Sequence, residues 1–333
     1  MGKKNIAFII IIKICFSSAC HTKNALLCML EIRNLNKKYS DKITLFNINF
    51  NIRPKSIVGL LGPNGAGKTT FIRILAGIIS ADSGEIIFDK KNWLQHKNYN
   101  IGYLPEERGL YKNMKVGEHL LYLALMKGIS YQQAKAAIGK WLNKFNIADW
   151  KNKKIEQLSK GMQQKVQFIG TVIHKPNILI LDEPFSGLDP ITTQEIGVII
   201  NEEKERGCTI VLSSHNMDSV ETFCDNVVLI NKGKIVLSGG VREIKERNKS
   251  NVYELIFDTN DDRFVKNLMD FGTIISNDTD GDLNCIRIHT NDKKQLDTVV
   301  AKYMPILSLR SYTEILPSMN DIFINIVKKN NYE

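Results

Sequence analysis

Glycines at 62, 65 and 67, a lysine at 68 and a threonine at 69 stand in the run Gly62-Pro63-Asn64-Gly65-Ala66-Gly67-Lys68-Thr69, with Thr70 next. That spacing suits one task, wrapping backbone around phosphate. Glycine-rich backbone can turn successive N–H groups toward phosphate oxygens, and a helix opening at the loop adds the positive end of its dipole. Lys68 then supplies positive charge to the β- and γ-phosphates, and the Thr69 hydroxyl is the expected ligand of Mg²⁺. A second group, Asp182 and Glu183, lies 120 residues after Gly62 and directly follows the apolar run Ile178–Leu181. Open α/β sheets bind ligands at the C-terminal ends of their strands. Asp182 is therefore expected to hold Mg²⁺, directly or through water, and Glu183 to orient or deprotonate an attacking water.

The elements that must position these residues read as an α/β domain. A strand at 30–35, a strand pair near 43–52 and a buried strand SIVGLLG lead into the phosphate loop and a helix opening at Lys68. Helical patterns follow at about 116–145 and 159–174, then apolar strands at 178–182, 209–214 and 226–239. Buried strands alternating with helices predict an α/β sheet. The stretch 241–251 reads as a short helix and linker. Beyond it VYELIFD, a helical FVKNLMDF, a turn TDGD, the strand LNCIRIH and a helical SMNDIFINIV predict a small α+β domain. The expected domains are 29–245 and 246–333.

Composition narrows the function. With 333 residues, 43% hydrophobic and 24% charged, the chain is long enough for two cores and ordinary for a globular protein. Its six cysteines form no CxxC pair, and three, Cys15, Cys20 and Cys28, precede residue 29. No disulfide or metal framework is read from them. The formal charge of +10 comes from lysines spread among Asn and Ile without interleaved aromatics, so a solvated surface rather than a nucleic-acid partner is expected. Residues 1–28 carry Lys3, Lys4 and Lys13 around an apolar run at Ile6–Ile12, and no acid. The segment is signal-like. Because composition changes abruptly at Met29, the expectation is that Met29 is the true start, with a signal or membrane anchor as alternatives. Elsewhere no stretch approaches the roughly 18 apolar residues of a membrane helix.

With these residues in hand, the chain resembles the ABC ATPase family over about Met29–Gly240. LSKGMQQKVQ (158–167) is similar to the family signature. The resemblance implies that Ser159 and Gly161 cap the γ-phosphate held by an opposite subunit, while Lys160 and Met162 stand where the family usually has Gly and Gln. Tyr39 resembles the aromatic residue that stacks on adenine. Ser186, Gly187, Leu188 and Asp189 resemble the loop that links two sites, and His215 resembles the switch histidine. Glu106, in IGYLPEERGLY, stands where the family has a lid-loop glutamine, and the alternative reading pairs it with Arg108. YLPEERGLY, LSKGMQQKVQFI and the C-terminal LPSMNDIFINIV are further similar to sodium-export-type ABC exporters.

The resemblance implies a P-loop nucleotide-binding domain with a mixed sheet and a helical subdomain. It also implies ATP and Mg²⁺ as ligands, a second ATPase subunit facing the first head to tail, and a polytopic permease at the cytoplasmic face of the membrane. Sodium ions, drugs or peptide antibiotics are the implied cargo classes. A soluble ABC ATPase acting on DNA or ribosomes is the rival reading. The 120-residue spacing leaves no room for a long coiled-coil arm, and only one copy of each motif is present.

Overall fold

The computed structural model describes residues 30–40, 42–89, 91–92, 100–107, 109–258, 262–280 and 283–329. The readings for residues 1–29, for Arg108 and for part of the TDGD turn lie outside these residues. The chain divides into two units between Gly239 and Gly240, six residues before the boundary expected from sequence.

In the first unit, β1 (Leu30–Tyr39) pairs antiparallel with β2 (Lys42–Ile52), a single strand where a pair was expected. The fully buried β3 (Ile57–Leu61) runs into the glycine-rich loop and α1 (Lys68–Leu75). Two short strands, β4 (Ser83–Phe88) and β5 (Lys91–Asn92), complete an antiparallel sheet of order β2-β1-β4-β5. After β6 (Ile101–Leu104) come the helices α2 (Val116–Met126), α3 (Tyr131–Lys144) and α4 (Lys160–Val172). The single helical pattern expected at 116–145 is broken at Gly128, whose φ of 80° no helix accommodates, and Ser130 caps the next helix by accepting from the Gln133 N–H.

The unit then alternates: β7 (Ile178–Leu181), α5 (Pro190–Arg206), β8 (Thr209–Ser213), α6 (Met217–Phe223), β9 (Asn226–Asn231) and β10 (Lys234–Gly240). These strands form a sheet of order β10-β9-β3-β8-β7-β6. Its inner members are parallel: β3 to both β8 and β9, and β7 to both β6 and β8. Helix α1 lies between the sheets, since Phe71, Ile72, Ile74 and Leu75 share one apolar cluster with Leu30, Ile32 and Ile86 of the first sheet and Ile180, Val211 and Ile230 of the second. Helix α5 was not anticipated, although its ends carry legible signals, Asp189 as N-cap, Pro190 at the first position and Gly207 after the last. Among the described residues no helix is long and apolar enough to cross a membrane.

The second unit begins with α7 (Val241–Arg247) and continues as β11 (Val252–Asp258), α8 (Asp262–Met269), β12 (Thr273–Asp280), β13 (Leu283–His289), α9 (Lys293–Tyr303), β14 (Ser308–Ile315) and α10 (Met319–Lys329). The sheet order is β12-β13-β11-β14, antiparallel throughout. Each of its two βαβ segments is therefore split by an intervening strand, the ferredoxin-like arrangement. Tyr253, Leu255 and Phe257 of β11 alternate toward one face, where they pack with Ile286, Ile288, Phe264, Leu268, Leu296 and Val300.

Two buried histidines couple this fold to pH. His119 on α2 is fully buried and neither ring nitrogen has a hydrogen-bond partner among the described residues. Burial pushes its pKa down to about 4, and burial does the same to His174, also to about 4, although the ring Nε2 donates to the Ile101 carbonyl at 3.0 Å. Both rings are neutral when folded, while an unfolded histidine titrates near 6.5. Their contribution is thus fully present above that value and lost as pH falls through it toward 4, at most about 1.4 kcal/mol per pH unit for each ring. His119→Leu should flatten part of the acid-side fall in melting temperature relative to the parent. Parallel melting-temperature curves for the two proteins between those pH values would contradict this.

Candidate nucleotide site

Backbone geometry singles out the phosphate loop. Gly62, Gly65 and Gly67 all have positive φ, at 149°, 77° and 113°. At two of them there is also no room. A Cβ on Gly62 would come within 2.2 Å of the Ile230 carbonyl oxygen, and one on Gly67 within 2.7 Å of the Thr44 carbonyl oxygen. The loop is thereby seated between β9 and β2. Asn64 and Gly65 are exposed, Pro63 half-buried and Ala66 buried, with the Ala66 N–H donating back to Pro63 and the Gly233 N–H donating to Ala66. Gly67 caps α1 without a side-chain hydrogen bond, and no acid stands in the first turn, where Thr69 and Thr70 are half-buried. The helix end is left free to receive an anion.

Lys68 folds back over this loop. Its Nζ donates to the carbonyls of Gly62 at 2.7 Å and Pro63 at 3.2 Å. Burial lowers its pKa, and the negative charges of Glu183, Asp182 and Glu106 work against that shift. One cation from the loop thus senses three carboxylates from two other segments.

The acidic pair is placed by the parallel strands. The Asp182 N–H donates to the Leu104 carbonyl, extending the β6–β7 ladder by one residue. Asp182 is buried, and its Oδ1 accepts from the Ser213 hydroxyl at 2.6 Å. Burial raises the Asp182 pKa; the Ser213 hydrogen bond and the charge of Lys68 oppose the rise. The same Ser213 oxygen accepts from the Glu183 N–H at 2.9 Å. Glu183 has a φ of 49°, the left-handed region that a glutamate enters only where its surroundings hold it. Its Oε2 accepts from Nδ1 of the largely exposed His215 at 2.8 Å. Two strand ends, β7 and β8, thereby bring Asp182, Glu183 and His215 to one place.

The remaining segments are tied to it through α4. Ser159 caps that helix by accepting from the Met162 N–H at 3.3 Å, with Ser159 and Lys160 exposed and Gly161 and Met162 half-buried. Further along, Gln164 donates to the Pro184 carbonyl at 3.2 Å and Gln167 to the Pro105 carbonyl at 3.4 Å. The helix that starts at the signature therefore grips both the loop after the acidic pair and the loop that carries the exposed Glu106. Beyond Pro184 and Phe185, Ser186, Gly187 and Leu188 form a turn in which the Ser186 N–H donates to the Glu183 carbonyl at 3.1 Å and Gly187 has a φ of 68°, and Asp189 caps α5 by accepting from the Thr192 N–H at 2.9 Å and its hydroxyl at 2.8 Å. Those bonds, that from the Thr192 N–H foremost, hold the Asp189 carboxyl below its ordinary pKa. A side chain on Gly161 would lie 4.0 Å from Asp189 Oδ2.

Tyr39 sits at the β1–β2 turn opposite Lys42, exposed, with the Lys37 ammonium 5.5 Å from its ring centre. Thr44, two residues beyond Lys42, is the residue whose carbonyl meets Gly67. Among the described residues, no hydrogen bond joins Ser159–Met162 to the phosphate loop of the same chain. Ser213, Gln164 and Gln167 were not anticipated. Ser213 ends an apolar strand two residues before His215, and the two glutamines recur at helical spacing.

Comparison with known proteins places this geometry. The family described as ABC transporter matches residues 45–186, and the C-terminal domain of DrrA1-3-like ATP-binding proteins matches residues 239–327. The Uncharacterized ABC transporter ATP-binding protein YhaQ of Bacillus subtilis is 45% identical over 239 residues, which cover 72% of this chain and 80% of that relative. The lantibiotic transport ATP-binding protein SrtF of Streptococcus pyogenes is 40% identical, with 63% of this chain and 90% of the relative covered. Among solved structures, an ATP-binding subunit of an ABC transporter aligns with a TM-score of 0.61 at 29% identity, over 66% of this chain and 92% of that one. Nothing in these matches supports action on DNA or ribosomes. The chain belongs to the ATP-binding subunits of ABC transporters, which bind nucleotide and hydrolyse ATP to power transport.

Proposed function

We propose that this chain powers an exporter as one of two ATPase subunits that face each other head to tail on a separate permease at the cytoplasmic face of the membrane. The observation that carries the reading is the division of the site. Lys68 senses Asp182, Glu183 and Glu106 within one chain, whereas the signature residues Ser159 and Gly161 open a different helix and make no hydrogen bond to that loop. The second half of each site would come from the other subunit, whose Ser159 and Gly161 would close over the γ-phosphate while its Ser186–Asp189 loop passes between the sites. The resemblance to SrtF, a lantibiotic transport ATP-binding protein, supports a peptide antibiotic as cargo ahead of sodium ions or drugs.

The donor set fits Mg²⁺. Thr69 offers a hydroxyl at the second position of α1, and Asp182 keeps Oδ2 free of hydrogen bonds among the described residues, both hard oxygen ligands. Bound with ATP, the ion would neutralise charge on the β- and γ-phosphates. Lys68 adds the protein's own positive charge there, the loop N–H groups orient the phosphates, and Tyr39 stacks on adenine. Glu183 takes the proton of the attacking water, His215 holds the Glu183 carboxylate in position, and Glu106 approaches the phosphate end from the lid loop.

Two tests follow from this arrangement. Lys68→Ala and Ser159→Arg chains should each be inactive alone, but a mixture should recover ATPase activity, because one site of the mixed pair joins an intact loop from one chain to an intact signature from the other. A chain carrying both changes, mixed with an unaltered chain, builds no whole mixed site. A mixture of the two single variants that stays as inactive as either alone would remove the shared site. Separately, Ser213→Ala strips Asp182 and the Glu183 N–H of their common partner. The Mg²⁺ requirement for hydrolysis should rise about tenfold to a hundredfold, with ATP binding retained. An unchanged Mg²⁺ titration would show that Ser213 only fills space.

A further inference from the structure

Residues 110–160 carry ten lysines, no arginine and three acids, a net charge of +7. Residues 30–333 as a whole carry 41 basic and 35 acidic residues, so everything outside this helical segment sums to −1. A chain that merely favoured lysine would spread the excess evenly. Here the excess is confined to one part of the fold, and all ten lysines are exposed.

Within that segment Lys115, Lys135 and Lys151 surround a single cavity of about 200 Å³, walled also by Leu121, Ile138 and Tyr131. None of the three has an acidic partner among the described residues, and the one acid at the rim, Glu118, accepts from the Lys115 backbone N–H at 3.2 Å. Gathering like charges over an apolar floor stabilises neither the charges nor the fold, so the arrangement calls for an anion with an apolar body. The surrounding surface has the matching character. Tyr131 is 58% exposed, Leu125, one turn beyond Leu121 on α2, is 44% exposed, and the adjoining Met126 is 69% exposed. Aliphatic and tyrosyl side chains among lysines are what an interfacial surface presents to headgroups and the upper acyl region.

We propose that this lysine-ringed cavity of the helical segment binds the phosphate headgroups of an anionic bilayer, so that the ATPase touches the membrane surface directly. Phosphate-backbone ligands would use the lysines but leave Leu125, Met126 and Tyr131 in water, which is why a bilayer is the occupant favoured. The proposal is independent of the permease reading, since vesicles contain no permease.

Co-sedimentation of the full chain with vesicles of equal parts phosphatidylcholine and phosphatidylglycerol, against phosphatidylcholine alone, tests it. Binding should require phosphatidylglycerol, weaken with salt, and fall roughly a hundredfold when Lys115, Lys135 and Lys151 are all changed to Gln, from about fivefold for each lysine. ATP binding should be unchanged in that variant, and a control with Lys266, Lys294 and Lys328 changed to Gln should bind vesicles like the parent. Every variant carries the same residues 1–28, so their contribution cancels. Equal binding by the cavity variant and parent, an equal loss in the control, or equal binding to phosphatidylcholine alone would overturn the proposal. So would failure to bind anionic vesicles while peptide copies of a permease's cytoplasmic loops, or a duplex DNA, bind through the same lysines.

Discussion

Everything at the nucleotide site depends on how little space separates the phosphate loop from its neighbours. The Ile230 carbonyl on one side and the Thr44 carbonyl on the other leave no volume for a Cβ at Gly62 or Gly67. This contact fixes the loop relative to both sheets at once, because Ile230 belongs to the parallel-strand sheet and Thr44 to the antiparallel one. The start of α1 carries no side-chain cap and no acid in its first turn, so its N–H groups, with Lys68 and Thr69, can form the receiving surface. A close-packed loop of this kind is held in place only where the core beneath it is complete, and the cluster around Phe71, Ile72 and Ile74 supplies that core.

Around this fixed point the other groups are held by hydrogen bonds that cross between segments. Ser213 serves Asp182 and the Glu183 N–H together, so β8 sets the orientation of the acids that end β7. Gln164 and Gln167, one helical turn apart, connect α4 to the loops on either side of the site. A displacement of the signature end of α4 must therefore be felt at Pro184, next to Glu183, and at Pro105, next to Glu106. That is a physical route by which an event at a subunit boundary could alter hydrolysis, and it uses amide-to-carbonyl bonds that can break and re-form without uncovering charge.

The phosphate loop and the acidic pair were legible from sequence because local pattern determines them: glycines at fixed offsets before a helix, and carboxylates after an apolar strand. The parallel strands β3, β7 and β8 were legible for the same reason, as continuous apolar runs. What the pattern could not show was tertiary. The apolar pattern at 116–145 runs across Gly128 without marking the positive φ that ends α2, and α5 has a weak apolar periodicity although its caps are in plain view. Ser213 reads as one more small residue at a strand end until β7 is placed beside it. The split βαβ pairing of the second unit depends on strand order, which no local signal encodes. The concentration of charge in residues 110–160 was present in the sequence all along, but its meaning depended on seeing Lys115, Lys135 and Lys151 around one cavity.

The central claim is that one chain holds half of each catalytic site and that ATP joins two chains. Light scattering of Glu183→Gln with and without ATP and Mg²⁺ tests it most directly, because the amide keeps the side chain's shape while withdrawing the proton acceptor, so bound ATP persists. The account predicts a monomer without nucleotide and a dimer with ATP that reverts when ATP is replaced by ADP. A protein that binds ATP tightly and remains monomeric, even with its permease present, would contradict it.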